Sequence, residues 1–181
     1  MKAISRVIAT LGLLGVVFLT ACGGGSDASS GGVSLLAASF TPQQLNPGPN
    51  SVSLQEGPSS GNVVTVLVQV TDTVDLTGGT FDLFYDSARF TFVGFSAGDL
   101  FESDGVTPLY GVNEPVSGHL VVGVGSGTAV AVNGSETLIR MSFRADAGGS
   151  GPVTVDLADL LDDSGQAVAG VVWSGGTLVA S

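Results

Sequence analysis

The side chains able to do chemistry are few and scattered along the chain. One thiol, Cys22, follows Leu19-Thr20-Ala21 and precedes Gly23-Gly24-Gly25. One imidazole, His119, lies in Gly118-His119-Leu120-Val121-Val122. One indole, Trp173, follows Val171-Val172, and three carboxylates gather as Asp159, Asp162 and Asp163. A single Cys excludes an intramolecular disulfide framework and a Cys-rich zinc site. A single His excludes a multi-His metal centre. Asp159, Asp162 and Asp163 are candidate calcium ligands, because hard oxygen donors suit that ion; solvated acidic turns are the alternative. Trp173 is a candidate for stacking on a sugar ring, with burial beside its valine neighbours as the alternative. His119 reads as a surface residue at a strand edge rather than a catalytic base. Gly123-Val124-Gly125-Ser126-Gly127 lacks the glycine spacing and the basic residue of a phosphate-cradling loop, and reads as a strand end. No catalytic residue and no cofactor follow from these residues.

The composition narrows the class further. The 181 residues include 28 Gly, 44% hydrophobic and only 12% charged residues, with a net charge of −11. Low charge density with high apolar content argues for a folded domain. The acidic excess leaves no basic surface to displace counterions from a nucleic acid.

The first residues read as an address. Lys2 and Arg6 precede an apolar stretch, Ile8 to Leu19, too short for a comfortable bilayer span of roughly 20 residues and suited to a secretory h-region. Leu19-Thr20-Ala21-Cys22 resembles the bacterial lipobox. That resemblance implies cleavage before Cys22 and acylation of its thiol, an anchor worth about 0.8 kcal/mol per buried CH2. Removal of residues 1–21 would take Lys2 and Arg6 away and leave three Arg against 16 carboxylates, a net of −13. Gly23, rather than Asp, follows the cysteine; by resemblance to Gram-negative lipoproteins this favours the outer membrane. Residues 22–39 then form the lipidated cysteine and a tether, whose Gly/Ser-rich start (23–32) spans roughly 15–20 Å as a random coil.

From about residue 40 the pattern is β. Val63–Val70 is rich in β-branched residues and reads as a buried strand. Phe81, Leu83 and Tyr85 alternate onto one face of 80–85. Further strands are expected at 33–40, 90–95, 119–124, 137–145, 153–157, 168–173 and 177–179, separated by turns such as Gly78-Gly79 and Asp163-Ser164-Gly165. Asp86 and Asp99 read as turn-formers, and Asn133-Gly134-Ser135 as a β-turn. Ala97–Phe101 and Ala158–Asp162 are the two places where a single helical turn is expected. About nine short strands in residues 40–181, with eight of the chain's nine Phe there to fill the interior, describe a two-sheet β-sandwich.

The segment Gly78-Gly79-Thr80-Phe81-Asp82-Leu83-Phe84-Tyr85-Asp86 resembles the cohesin domain. Phe90-Thr91-Phe92-Val93-Gly94-Phe95, Gly98-Asp99-Leu100, the strand at 118–122, the segment 134–145 and the closing Gly175-Gly176-Thr177-Leu178-Val179 follow in the order of that family. The resemblance implies a nine-stranded jelly-roll sandwich related to carbohydrate-binding modules, with a non-catalytic role. It implies a dockerin-bearing partner held on one sheet face, and it leaves polysaccharide as the alternative ligand or a structural envelope role. In dockerin-binding cohesins of the first type, polar residues on the strand before Tyr-Asp help grip the dockerin. The matching positions here are Gly78 and Thr80, which offer neither carboxamide nor carboxylate. The ligand-contacting residues themselves do not follow from the sequence.

Overall fold

The computed structural model describes residues 36–102, 108–128 and 131–181. Thirteen strands are present among them: β1 (Ala38–Pro42), β2 (Ser51–Ser60), β3 (Val63–Thr71), β4 (Thr73–Leu76), β5 (Gly78–Phe84), β6 (Phe90–Ala97), β7 (Leu109–Val116), β8 (His119–Gly125), β9 (Val132–Gly134), β10 (Thr137–Ala145), β11 (Gly149–Leu161), β12 (Val172–Ser174) and β13 (Gly176–Ala180). Among the described residues no helix is long and apolar enough to cross a membrane. Cys22 and the proposed leader and Gly/Ser tether lie outside the described residues.

Six strands form one sheet in the order β1-β13-β11-β5-β8-β7, and five form another in the order β12-β2-β3-β10-β6. β4 and β9 make a separate two-stranded ribbon. Nearly all pairing is antiparallel; β12 runs parallel to β2. This is the all-β sandwich expected from the alternation, with more strands than the nine counted. The extra ones are short or carry weak patterns: β4, β9 and β12 have three or four residues each. β7 contains Gly111, Asn113 and Pro115, which hide a strand from propensity.

The core forms because the period of two puts one face of each strand inside. Phe81, Leu83 and Tyr85 of the β5 segment are buried, as their alternation predicts. Leu120 and Val122 of β8 join them, facing Val64, Val66, Val68 and Val70 of β3 and Met141 and Phe143 of β10. β3 therefore differs from the expected wholly buried strand. Its valines at even positions are buried, while the odd positions are half-buried on the outer face. β1 begins at Ala38 and runs to Pro42, later than the apolar run at 33–40 suggests. Pro42 is tolerated because β1 is a sheet edge, where a missing N–H removes no ladder bond.

The two expected helical turns part company. After β6, one turn closes with the Glu102 N–H donating to the Asp99 carbonyl at 3.2 Å, and it buries Leu100 and Phe101. Ala158–Leu161 is instead the end of β11. A bulge between Asp156 and Asp159 resets the phase of that strand and turns Leu160 into the core. Thr77 then donates its N–H to the Leu161 carbonyl at 2.8 Å.

Two tyrosines pin the sheets together at one edge. The Tyr85 hydroxyl donates to Glu114 Oε1 of β7 at 2.6 Å and accepts from the Phe92 N–H of β6 at 3.2 Å. The Tyr110 hydroxyl accepts from the Gly98 N–H and donates to the Leu138 carbonyl, each at 3.3 Å. Burial, with the Glu114 carboxylate close by, pushes the Tyr85 phenol up to about 12. The unfolded phenol titrates near 10. Below that pH both states hold the proton and the stabilisation is complete. Between about pH 10 and 12 only the unfolded chain ionises, so stability falls as pH rises, by about 2–3 kcal/mol. Urea midpoints measured from pH 8 to 12 should show this fall. Tyr85→Phe should abolish that component while costing about 1–2 kcal/mol at neutral pH through the lost hydrogen bonds.

Candidate functional site

The outer face of the six-stranded sheet gathers features that the fold itself does not require. Strand register lays its outward residues in rows across β11, β5, β8 and β7. One row is Leu161, Gly78, Gly125 and Leu109; the next is Asp159, Thr80, Gly123 and Gly111. Below them come Asp156, Asp82, Val121 and Asn113, then Thr154, Phe84, His119 and Val116. Leu109, Val116, Val121 and Phe84 are all exposed.

Glycines strip the upper rows of side chains. A Cβ built at Gly111 or Gly123 meets nothing within 4 Å, and one at Gly125 meets only the Thr77 carbonyl oxygen at 3.7 Å. None of the three sits at positive φ. Neither crowding nor backbone conformation therefore demands glycine there. Gly78 differs, since its Cβ would stand 2.8 Å from the Val124 carbonyl oxygen. The result is a shallow hollow of about 380 Å³ over bare backbone, flanked by Leu109 and Leu161.

Leu157 lies at the bulge of β11, between Asp156 and Asp159, which pair with Asp82 and Thr80 of β5. Its φ is 44° and it is 74% exposed. A left-handed backbone at a residue with a branched side chain costs about 1–2 kcal/mol. A large apolar side chain in water adds nothing to offset that. Its N–H donates to Asp156 Oδ1 at 2.8 Å, which holds the bulge in shape. Bulges re-aim side chains, and this one presents a leucine to solvent.

The electrostatics of the face are one-sided. Asp82, Asp156 and Asp159 lie on it, and among the described residues its one cation-capable group is His119. His119 Nε2 is 2.9 Å from Asp82 Oδ2, and its ring stacks on Phe84 at 4.4 Å. The arginines at 89, 140 and 144 are paired elsewhere, with Asp86, Asp99 and Asp146. Those three carboxyls are held below the usual carboxylate range, in each case first by the hydrogen bond from arginine.

The residues singled out from sequence divide. Thr80 is exposed on the outer face and Gly78 is buried beneath the hollow. Tyr85 is core, and Asp86 opens a turn by accepting from the Ala88 N–H. Asn133 and Ser135 serve the β4–β9 ribbon, accepting from the Asp75 and Asp72 N–H groups. Gly123 and Gly125 end β8, as read from the sequence. Among the carboxylates weighed as calcium ligands, Asp162 is spent on its own turn. Its Oδ1 accepts from the Ser164 N–H and hydroxyl and from the Gln166 N–H, which lowers its pKa. Among the described residues no three His, Cys, Asp or Glu side chains stand together as a metal site.

Gly57-Pro58-Ser59-Ser60-Gly61 has the spacing of a nucleophile elbow. Ser59 instead sits in β2 opposite Val64, and a strand, not a helix, follows the turn. Trp173 is half-buried and packs on Phe81 at 5.4 Å. Its Nε1–H is shielded and has no acceptor among the described residues, a deficit of about 1–3 kcal/mol.

Sequence reasoning missed Leu157, Leu109 and the bare glycines. Strict alternation through Val153, Val155 and Leu157 turns Leu157 inward, and only the bulge turns it out. Asp156-Leu157-Ala158, where the apolar phase slips before Leu160, was the available signal.

The arrangement is that of a jelly-roll sandwich with one bare, acidic outer face. The chain belongs to the cohesin family: the sequence model of the cohesin domain matches residues 50–177. No curated protein matches the chain. Among solved structures, the sixth cohesin of scaffoldin B from Acetivibrio cellulolyticus, in complex with a Cel5 dockerin mutant, is 20% identical; the match covers 76% of this chain and 96% of that one, with a TM-score of 0.57. A non-cellulosomal cohesin from the archaeon Archaeoglobus fulgidus is 17% identical, covering 70% and 88%, with a TM-score of 0.55. The cohesin CaCohA2 from Clostridium acetobutylicum is 16% identical, covering 70% and 87%, also with a TM-score of 0.55.

The strain at Leu157 is testable apart from any ligand. Leu157→Gly should raise stability by about 1 kcal/mol, read as a higher melting temperature. A lower melting temperature would mean that the leucine side chain packs on the domain.

Proposed function

We propose that this chain is a non-catalytic recognition module that docks a dockerin-type protein on the outer face of its six-stranded sheet. The carrying observation is Leu157, strained in a left-handed conformation and exposed to solvent on the same sheet that carries the bare glycine backbone of β8 and β7. A protein partner gives that leucine an apolar socket, and burial of such an anchor dominates binding energy at many interfaces. The glycines let the partner approach the sheet closely. Asp82, Asp156 and Asp159 favour Lys or Arg around the socket and steer the encounter. Membership of the cohesin family, with relatives solved in dockerin complexes, supports this partner class. Gly78 and Thr80 lack the carboxamide and carboxylate grip of the first cohesin type, so the weight falls on Leu157, Val121 and the acidic residues.

The module works from a lipid anchor at Cys22, on the cell envelope and in the outer membrane. This rests on the lipobox spacing and Gly23. The alternative, a module lying flat on polysaccharide, calls for a row of exposed aromatic rings on one face. The exposed rings Phe84 and Phe95 lie on different sheets, which favours the protein partner.

Calorimetry of the purified chain against dockerin-bearing proteins of its own organism, with and without calcium, tests the reading. Binding should weaken at least about tenfold in Leu157→Asp and in Gly123→Arg. Both variants should keep the wild-type melting temperature within a few degrees, because neither position packs inward. Full affinity in both would remove this face from consideration. The anchor has its own test: Cys22→Ser should move the protein from the membrane fraction to the soluble fraction, and unchanged membrane retention with acylation would refute it.

A further inference from the structure

A second concavity, of about 440 Å³, lies where β13 parts from β11. β11 pairs with β13 through Val153 and with β5 from Thr154 onward, so the two strands diverge at that point. The chain crosses there from β12 in one sheet to β13 in the other through Gly175. That crossing is tight. A Cβ at Gly175 would stand 2.1 Å from the Val153 carbonyl oxygen, and one at Gly176 would stand 2.2 Å from the Phe40 ring. The floor of the cleft is therefore rigid backbone, and its size is typical of small-molecule sites.

Its lining carries no charge, in a chain whose net charge is −11. Trp173 forms one wall, and its Nε1 is the buried side-chain polar atom left without a partner among the described residues. The hydroxyls of Thr41, Thr154 and Thr177 border the cleft, and among the described residues no hydrogen bond engages them. Gln43 accepts from the Gly175 N–H at 3.2 Å through Oε1, which leaves its amide NH2 to donate. The backbone groups of the crossing itself, in contrast, are already engaged. Gly175 accepts from the Gln43 N–H at 3.0 Å, and Gly176 is paired with both Pro42 and Val153. Along the crossing, an added peptide strand would find little free ladder to extend. Recognition here falls to side-chain hydroxyls, one carboxamide and an indole.

A ligand matching this set is neutral, compact, rich in groups that both donate and accept, and apolar on one face. We propose that the cleft is a saccharide-binding site for one or two sugar rings of a neutral glycan, separate from the protein-docking role. The hydroxyls of the sugar meet the threonines and Gln43, while its C–H face meets Trp173 and Pro42.

The single tryptophan makes the cleft directly observable. Trp173 emission of the purified chain is titrated with cellobiose, xylobiose, mannobiose, maltose and chitobiose, each up to ~10 mM. At least one should give a saturable change in intensity or wavelength. Thr41→Arg, at an exposed strand position bordering the cleft, should weaken that response at least about tenfold. Gln43→Ala should weaken it too, and Leu157→Asp should leave it intact, which separates this site from the docking face. Silence across the panel overturns the proposal. So does an undiminished response in both Thr41→Arg and Gln43→Ala, or a response to an uncharged tetrapeptide but to no sugar.

Discussion

The buried line of Phe81, Leu83 and Tyr85 is the constraint on which the rest depends. β5 lies in the interior of the six-stranded sheet, between β11 and β8. Phe81 touches Trp173 and Tyr85 touches Phe143, so the strand is gripped from the opposite sheet at both ends. A one-residue slip would turn those three side chains to water and drive Asp82 into the core. With that slip forbidden, Thr80, Asp82 and Phe84 must face outward, and register carries the order to β8, β7 and β11. The outer face is thus a by-product of how the inner face packs.

The same logic marks what the sequence could and could not reveal. The inward residues of β5, β8 and β10 are legible because burial enforces the period of two. Tyr85-Asp86 as core residue plus turn is legible because each type suits its place. Leu157 is not, since a bulge is a change of phase and short windows assume constant phase. Ala158–Asp162 failed as a helical turn for the same reason. Gly111 and Gly123 read as breakers, and their true character, ordinary backbone beneath open space, depends on neighbours distant in sequence. Trp173, readable from sequence as core or as a stacking surface, packs on Phe81 and also lines a cleft.

Charge is segregated across the sandwich. Arg140 and Arg144 belong to β10 in the five-stranded sheet, and Arg89 sits in the turn after β5, each with an aspartate partner. The six-stranded outer face keeps its carboxylates without arginine. Hydrogen bonds from arginine account for the lowered carboxyl pKa values at Asp86, Asp99 and Asp146, so those pairs act as local staples of turns and strand ends. Pairs this exposed add little to global stability. Their larger effect is to leave the outer face of the six-stranded sheet without arginine among the described residues.

The open space above Gly111 and Gly123 also bears on how such a domain can diverge. Most positions in a sandwich this small answer to the core, and substitution there trades fold against novelty. These two positions answer to neither packing nor backbone geometry. A lineage can write a new side chain on them and test it against a new partner while the fold stays indifferent. On the docking role proposed above, partner choice and foldability are then separable, because a side chain added at either position disturbs no packing.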